Sequence, residues 1–181
     1  VLAVNGTGTD VQWVPNGGST STTGYYISAY DTTSSQTISS TSSTANMIIG
    51  TTSESSGITI NNDGSGNPTK VTFAYSGTYN IQWSIQFVNS DTTAIHNAYI
   101  WLRKNGSDIT NSNSDYAIPN KHGGVNGHLI GTVNFVLSLA AGDYLELMWQ
   151  TTNTQVFLET IAATAVLPQT PAAIFTATQV T

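Results

Sequence analysis

Cysteine is absent from the 181-residue chain, which excludes disulfides and thiolate metal centres together. Cations are almost as scarce: Lys and Arg number 4 against 10 Asp and Glu, for a net charge of −6. Lys70, Arg103, Lys104 and Lys121 are too few and too scattered to form the basic stripe that phosphate neutralisation requires. Nucleic-acid binding is therefore excluded as a main function. No apolar run approaches the roughly 18–20 residues that cross a bilayer as a helix, so membrane insertion is not expected. In all, 8% of residues are charged, against about 25% in an ordinary soluble domain.

Hydroxyls and amides stand where ions usually do. The chain has 49 Ser and Thr and 16 Asn, so neutral polar groups supply its solubility. With 39% apolar residues and four Trp it still has the material for a core, unlike disordered chains of similar hydroxyl content. The length suits one domain. Residues 1–24 read as an N-terminal attachment or linker segment, a short ordered piece followed by a hinge at Gly17-Gly18 and the Ser/Thr run 19–23. Residues 25–181 form the domain. Within it, 32–44 is a polar tract suited to an extended surface segment, with nothing that obliges it to pack.

From Gly57 onward apolar residues recur at period two. Val71, Phe73 and Tyr75 share a face, and after Gly77 so do Tyr79, Ile81, Trp83, Ile85 and Phe87, with Asn80, Gln82, Ser84 and Gln86 between them. A strand over 96–104 stops at Asn105-Gly106, the preferred dipeptide of a type I′ hairpin turn. Residues 110–127 make a long loop around a short extended piece at 116–118. Strands follow over 128–139 and 144–150, the latter facing the core with Leu145, Leu147 and Trp149. Residues 154–162 are placed beside 144–150 across a turn at 151–153, and 173–180 closes the fold. No window has a capped helical period, and β-branched residues dominate. The expected fold class is all-β, an antiparallel jelly-roll sandwich.

Three stretches come in an order and spacing suited to consecutive strands: Gly77-Thr-Tyr79-Asn-Ile81, Leu102-Arg-Lys-Asn-Gly106, and Leu137-Ser-Leu-Ala-Ala-Gly-Asp-Tyr-Leu-Glu-Leu147. On these, residues 70–162 resemble the C1q/TNF-like jelly roll, the trimeric head of complement-type and tumour-necrosis-factor-type proteins. IWLRKNGSDI (100–109), FVLSLAAGDYLELMW (135–149) and TATQV (176–180) are similar to the version found in virion proteins of bacteriophages, notably cyanobacterial and other marine phages. The opening VLAVNGTGTDVQWV (1–14) is similar to a short module that precedes such heads in phage fibres. The resemblance implies a homotrimer on the virion surface, a fibre or head-decoration protein joined to other virion proteins through its N-terminal segment, with host-surface carbohydrate as a candidate ligand. A tail-fibre receptor-binding tip and a secreted lectin-like or carbohydrate-active domain are the alternatives. Tyr79, Trp83, Tyr99, Phe135, Tyr144 and Trp149 are the aromatics assigned to the core or a trimer interface.

Catalysis finds no supporting motif. There is no G-x-S-x-G elbow, and the carboxylate pairs Asp143/Glu146 and Asp108/Asp115 have plain roles in a turn, an outward strand position and a solvated loop. The chain is read as a non-enzyme with no cofactor and no metal. His122 and His128, six apart, match no ligand spacing, and Asn61-Asn62-Asp63-Gly64 lacks the downstream Glu of a calcium loop. The candidate ligand or partner contacts are His96, Arg103, Lys104, Tyr116, His122 and His128, and loops 88–98, 110–127 and 150–155 are expected to carry recognition. Arg103-Lys104 is read as a solubilising rim.

Overall fold

Where apolar and polar residues alternate, the chain runs as strand. A computed structural model describes residues 2–4, 11–13, 24–33 and 35–181. A short ribbon pairs β1 (Leu2–Val4) with β2 (Val11–Trp13). Most of the segment 1–24, including the Gly17-Gly18 hinge, lies outside the described residues. Next come β3 (Tyr26–Asp31), β4 (Ala45–Asn46), β5 (Thr51–Ser56), β6 (Ile58–Asn62) and β7 (Pro68–Phe73). The long β8 (Gly77–Asn89) and β9 (His96–Lys104) precede the short β10 (Ser107–Asp108) and β11 (Ser114–Ile118). Then follow β12 (Gly127–Leu139), β13 (Tyr144–Thr151), β14 (Val156–Leu158) and β15 (Ala173–Gln179). Among the described residues there is no helix.

Two antiparallel sheets carry the fold as a sandwich. In the first, β9 lies between β13 and the short strands β10 and β11, and β13 leads on to β7 and β6, with β4 also on β13. In the second the order is β12-β8-β15-β3-β5, with β14 also on β8. Successive side chains of a strand point to opposite faces, so β8 buries Tyr79, Ile81, Trp83, Ile85 and Phe87 against Ala98, Ile100 and Leu102 of β9 and Leu145, Leu147 and Trp149 of β13 in one core. Phe73 meets Tyr79 edge-on at 4.7 Å, and Trp83 stacks on Phe135 at 5.6 Å. The aromatic assignments thus divide. Tyr79, Trp83 and Trp149 are core, and Phe135 packs against it from β12. Tyr99 and Tyr144 are half-buried on the outward face of the first sheet, where Lys70 lies over the Tyr144 ring at 4.8 Å. Tyr75 is 48% exposed and stacks on Tyr25 instead.

Two expectations are corrected. Residues 154–162 do not extend the first sheet: Val156–Leu158 crosses the sandwich and pairs with residues 87–89 of β8. Both edges of β13 are already occupied, one by β9 and the other by β7 and β4. The turn at 151–153 is closed on itself, with Thr151 Oγ1 donating to Asn153 O and Asn153 Oδ1 accepting from Gln155 N. Burial of Val156 and Leu158 fixes the new course. The polar tract 32–44 also packs. Gln36 and Ile38 are buried, and the Gln36 amide donates to Asp31 Oδ2 and to Ile48 O, each at 2.9 Å, while its oxygen accepts from Ile48 N. Those bonds tie the tract to a segment whose Met47 and Ile49 are fully buried.

Gly127, at the start of β12, sits where the 119–120 backbone crosses it. A Cβ there would lie 1.7 Å from the carbonyl oxygen of Pro119. Gly127→Ala is therefore expected to reduce unfolding stability by about 2–3 kcal/mol or more. Gly64→Ala, with nothing within 4 Å of its Cβ, should stay within about 0.5 kcal/mol of wild type. Urea denaturation of the two variants makes the comparison, and equal midpoints would mean that the Pro119 backbone yields freely.

Candidate interaction surface

The six residues proposed as ligand contacts are not brought together. His96 and Lys104 begin and end β9, which separates them by about 27 Å at the usual rise per residue. Arg103 Nε donates to Asp108 Oδ1 at 2.9 Å across the β9–β10 hairpin, and Lys104 Nζ lies 3.5 Å from Asp143. Tyr116 is turned between the sheets beside Phe87, with its hydroxyl buried. His122 is exposed in a tight turn, paired through its backbone with Val125. His128 is exposed on the outward face of β12, 4.0 Å from Glu159.

One end of the sandwich is closed by a clamp between two turns. Asn105 and Gly106 take φ of 50° and 83°, as a type I′ turn demands. The Asn105 side chain then donates to Asp143 Oδ1 at 2.6 Å and accepts from Tyr144 N at 2.9 Å. Asp143 Oδ2 accepts from Ala140 N at 2.8 Å. The Ala140 amide, then the Asn105 side chain, hold the Asp143 carboxyl below the ordinary carboxylate range. Glu146, which alternation places on the outward face, is buried: its Oε1 accepts from Asn46 Nδ2 at 2.6 Å and from Thr69 Oγ1 at 3.3 Å. The carboxylate bridges the place where β13 changes partner from β7 to β4. All these acids and amides are held by one another.

The opposite end is just as self-contained. His96 Nε2 lies 2.6 Å from Asp91 Oδ2, and Asp91 Oδ1 accepts from the Thr93 hydroxyl and amide at 2.7 and 2.8 Å. Asn153 Nδ2 lies 2.9 Å from the same His96 nitrogen, drawing the 151–155 loop into the cluster. Asn89 accepts from Asp91 N and donates to Ala94 O and Ile118 O. A His placed where a ligand contact is expected therefore positions a loop. The exposed side chains at this end are those of the loop tips, among them Thr92, Ile95, His122 and Val125.

The outward face of the second sheet differs in kind. β12 presents His128, Ile130, Thr132, Asn134, Val136 and Ser138; β8 presents Asn80, Gln82, Ser84 and Gln86; β15 presents Ile174, Thr176 and Thr178; β3 presents Tyr26, Ser28 and Tyr30. None of these is Asp, Glu, Lys or Arg; Glu54 stands at the margin of the face, opposite Ser28 on the edge strand β5. The outward side of the first sheet, by contrast, holds Lys70, Arg103, Asp108, Asp115 and Glu146. Register places Thr132, Ser84 and Ile174 in one row and Asn134, Gln82 and Thr176 in the next. Between the rows runs a groove of about 530 Å³. β12 also ends the sheet: among the described residues no strand is hydrogen-bonded to its outer edge, although β11 and the 119–120 backbone approach its first residues, and the strand itself holds no Asp, Glu, Lys, Arg or Pro.

No family model matches this sequence, and no curated protein is significantly similar to it. Among the described residues no cluster of three or more His, Asp or Glu is assembled. The uncharged face could have been found in the sequence, because 77–89, 127–139 and 173–179 each lack a charged residue. Alternation then assigns their polar residues to one side.

The His96 hydrogen bond, followed by those of Thr93, lowers the Asp91 pKa from 3.8 to about 2. Ionised Asp91 thus adds stability that is present above about pH 4 and is lost as pH falls through about 2. Chemical denaturation at a series of pH values should show wild type losing stability more steeply than Asp91→Asn over that interval. Parallel curves would exclude Asp91 as the linked group.

Proposed function

We propose that this chain is the trimeric jelly-roll head of a bacteriophage fibre or head-decoration protein, displayed on the virion surface and anchored to other virion proteins through residues 1–24. The uncharged outward face of β12-β8-β15-β3, ending in an unguarded edge strand, carries the reading. Charge depletion marks the buried centre of protein interfaces, and a long unprotected edge is normally covered. A closed threefold arrangement of copies covers both surfaces at once.

Strand order supports the jelly roll. The chain passes between sheets from β7 to β8, β8 to β9, β11 to β12 and β12 to β13, then on to β14 and β15. This places β9, β13 and β7 opposite β8, β15 and β3. The phage assignment draws on the resemblance of the 100–109, 135–149 and 176–180 stretches. Host-surface carbohydrate as the ligand meets the exposed tips 92–95 and 122–125, since His96, Arg103 and Lys104 are paired within the chain and Tyr116 packs on Phe87 with its hydroxyl buried.

Light scattering at micromolar concentration is expected to give three times the chain mass; a monomer would remove the trimer. An antibody raised against the domain should label intact particles. Label over the capsid shell identifies head decoration, label at the tail identifies a tail fibre, and unlabelled particles would end the virion reading.

A further inference from the structure

β14 and β15 pair with the same edge of β8, and between them the chain leaves the sheet. Gln86 of β8 holds both roots of this excursion: its amide donates to Ala172 O at 2.9 Å and its carbonyl accepts from Glu159 N at 3.1 Å. Residues 161–169, IAATAVLPQ, are all exposed and carry no charge. Val166 is 87% and Leu167 63% exposed. Of the Gly, Pro, Asn, Asp and Ser that usually make turns, residues 161–169 hold Pro168 alone.

The excursion is also stiff. Ile161 and Thr170 exchange two backbone hydrogen bonds at 3.0 and 2.9 Å across its base. At the tip, Thr164 N donates to Leu167 O at 2.9 Å, and Thr164 Oγ1 accepts from Leu167 N at 3.0 Å and Val166 N at 3.3 Å. Pro168 follows directly. The two apolar side chains are thus held out in water by an arm whose ordering is already complete, so docking it loses little further chain entropy.

The same sheet offers a receptacle. The groove between β12, β8 and β15 runs over the strand backbone at Trp83 and Val133, whose side chains turn into the core, and is lined by Ile174 and the neutral side chains of Gln82, Ser84, Thr132, Asn134 and Thr176. Among the described residues no side-chain hydrogen bond engages Gln82, Ser84, Thr132 or Thr176, so the rim is open to the backbone groups of an incoming segment. Arm and groove both lack charge, which removes the steering by which a chemically distinct charged partner is selected.

We infer that the Val166-Leu167 tip of one copy docks into the Gln82–Thr132–Thr176 groove of a second copy of this chain. Knob and groove lie on different patches, so the contact is heterologous and closes into a ring under rotational symmetry. The inference rests on self-association through this sheet and specifies the element that locks it.

Because the chain has no cysteine, an introduced pair supplies its only thiols. Leu167→Cys with Thr132→Cys, oxidised in the assembled protein, is expected to give covalent trimers on a non-reducing gel, while each single variant runs as a monomer. Thiols that stay free, a disulfide within one chain, or covalent dimers from Leu167→Cys alone would each overturn the docking. Separately, Val166→Asp with Leu167→Asp should weaken assembly by about 30-fold or more while the thermal unfolding of the monomer is retained. A wild type that scatters as a monomer would overturn self-association itself. A wild-type trimer that survives the double Asp variant without cross-linking would overturn the arm alone.

Discussion

Both edges of β8 are occupied along almost their whole length, by β12 on one side and by β14 and β15 on the other. One face of the same strand is buried from Tyr79 to Phe87. A strand held on three sides cannot slip, because a shift of one residue would turn Ile81, Trp83 and Ile85 out to water and Gln82 and Ser84 into the core. Full burial of each such large apolar side chain is worth roughly 1.5–3 kcal/mol. The register of β8 therefore fixes the register of the second sheet. It also fixes which residues of β12 and β15 reach the outside.

The long strands were legible because their burial follows a local period. The sequence places 96–104, 128–139 and 144–150 within a residue or so of the observed strands and the apolar period 79–87 inside the longer Gly77–Asn89, and Asn105-Gly106 adopts the turn its φ values require. What was not legible depends on occupancy and distance. Nothing near 154–162 reveals that both edges of β13 are filled by strands more than forty residues away. Gln36 and Ile38 sit in a tract whose composition reads as surface, and their burial depends on Asp31 and Ile48. His96 resembles a free ligand group until Asp91, five residues earlier, is folded back onto it.

The scarcity of charge also has a spatial meaning. Among the described residues most ions lie on the first sheet and in the end loops, with Asp31 and Glu54 on β3 and β5 of the second, and neutral Asn, Thr and Ser side chains share the work of tying loops together. Such bonds respond weakly to ionic strength, since screening acts on net charges. The ends of the sandwich are consequently tied by hydrogen bonding, and the outward face of β12, β8 and β15 is left to neutral side chains.

β15 lies in the interior of the second sheet, between β8 and β3, although it is the last strand in the order of the chain. Until residues 173–179 are available, β3 and β5 have no bonded connection to β8 within that sheet. On a ribosome, two half-sheets with open edges must therefore wait for the last strand to emerge before they join. Pairing of this kind, between segments at opposite ends of a chain, is slow and leaves unpaired strands exposed while it waits. Completion of the sandwich therefore waits on residues 173–179, and a chain truncated before residue 173 leaves β8 without β15 and β3 without its link to β8.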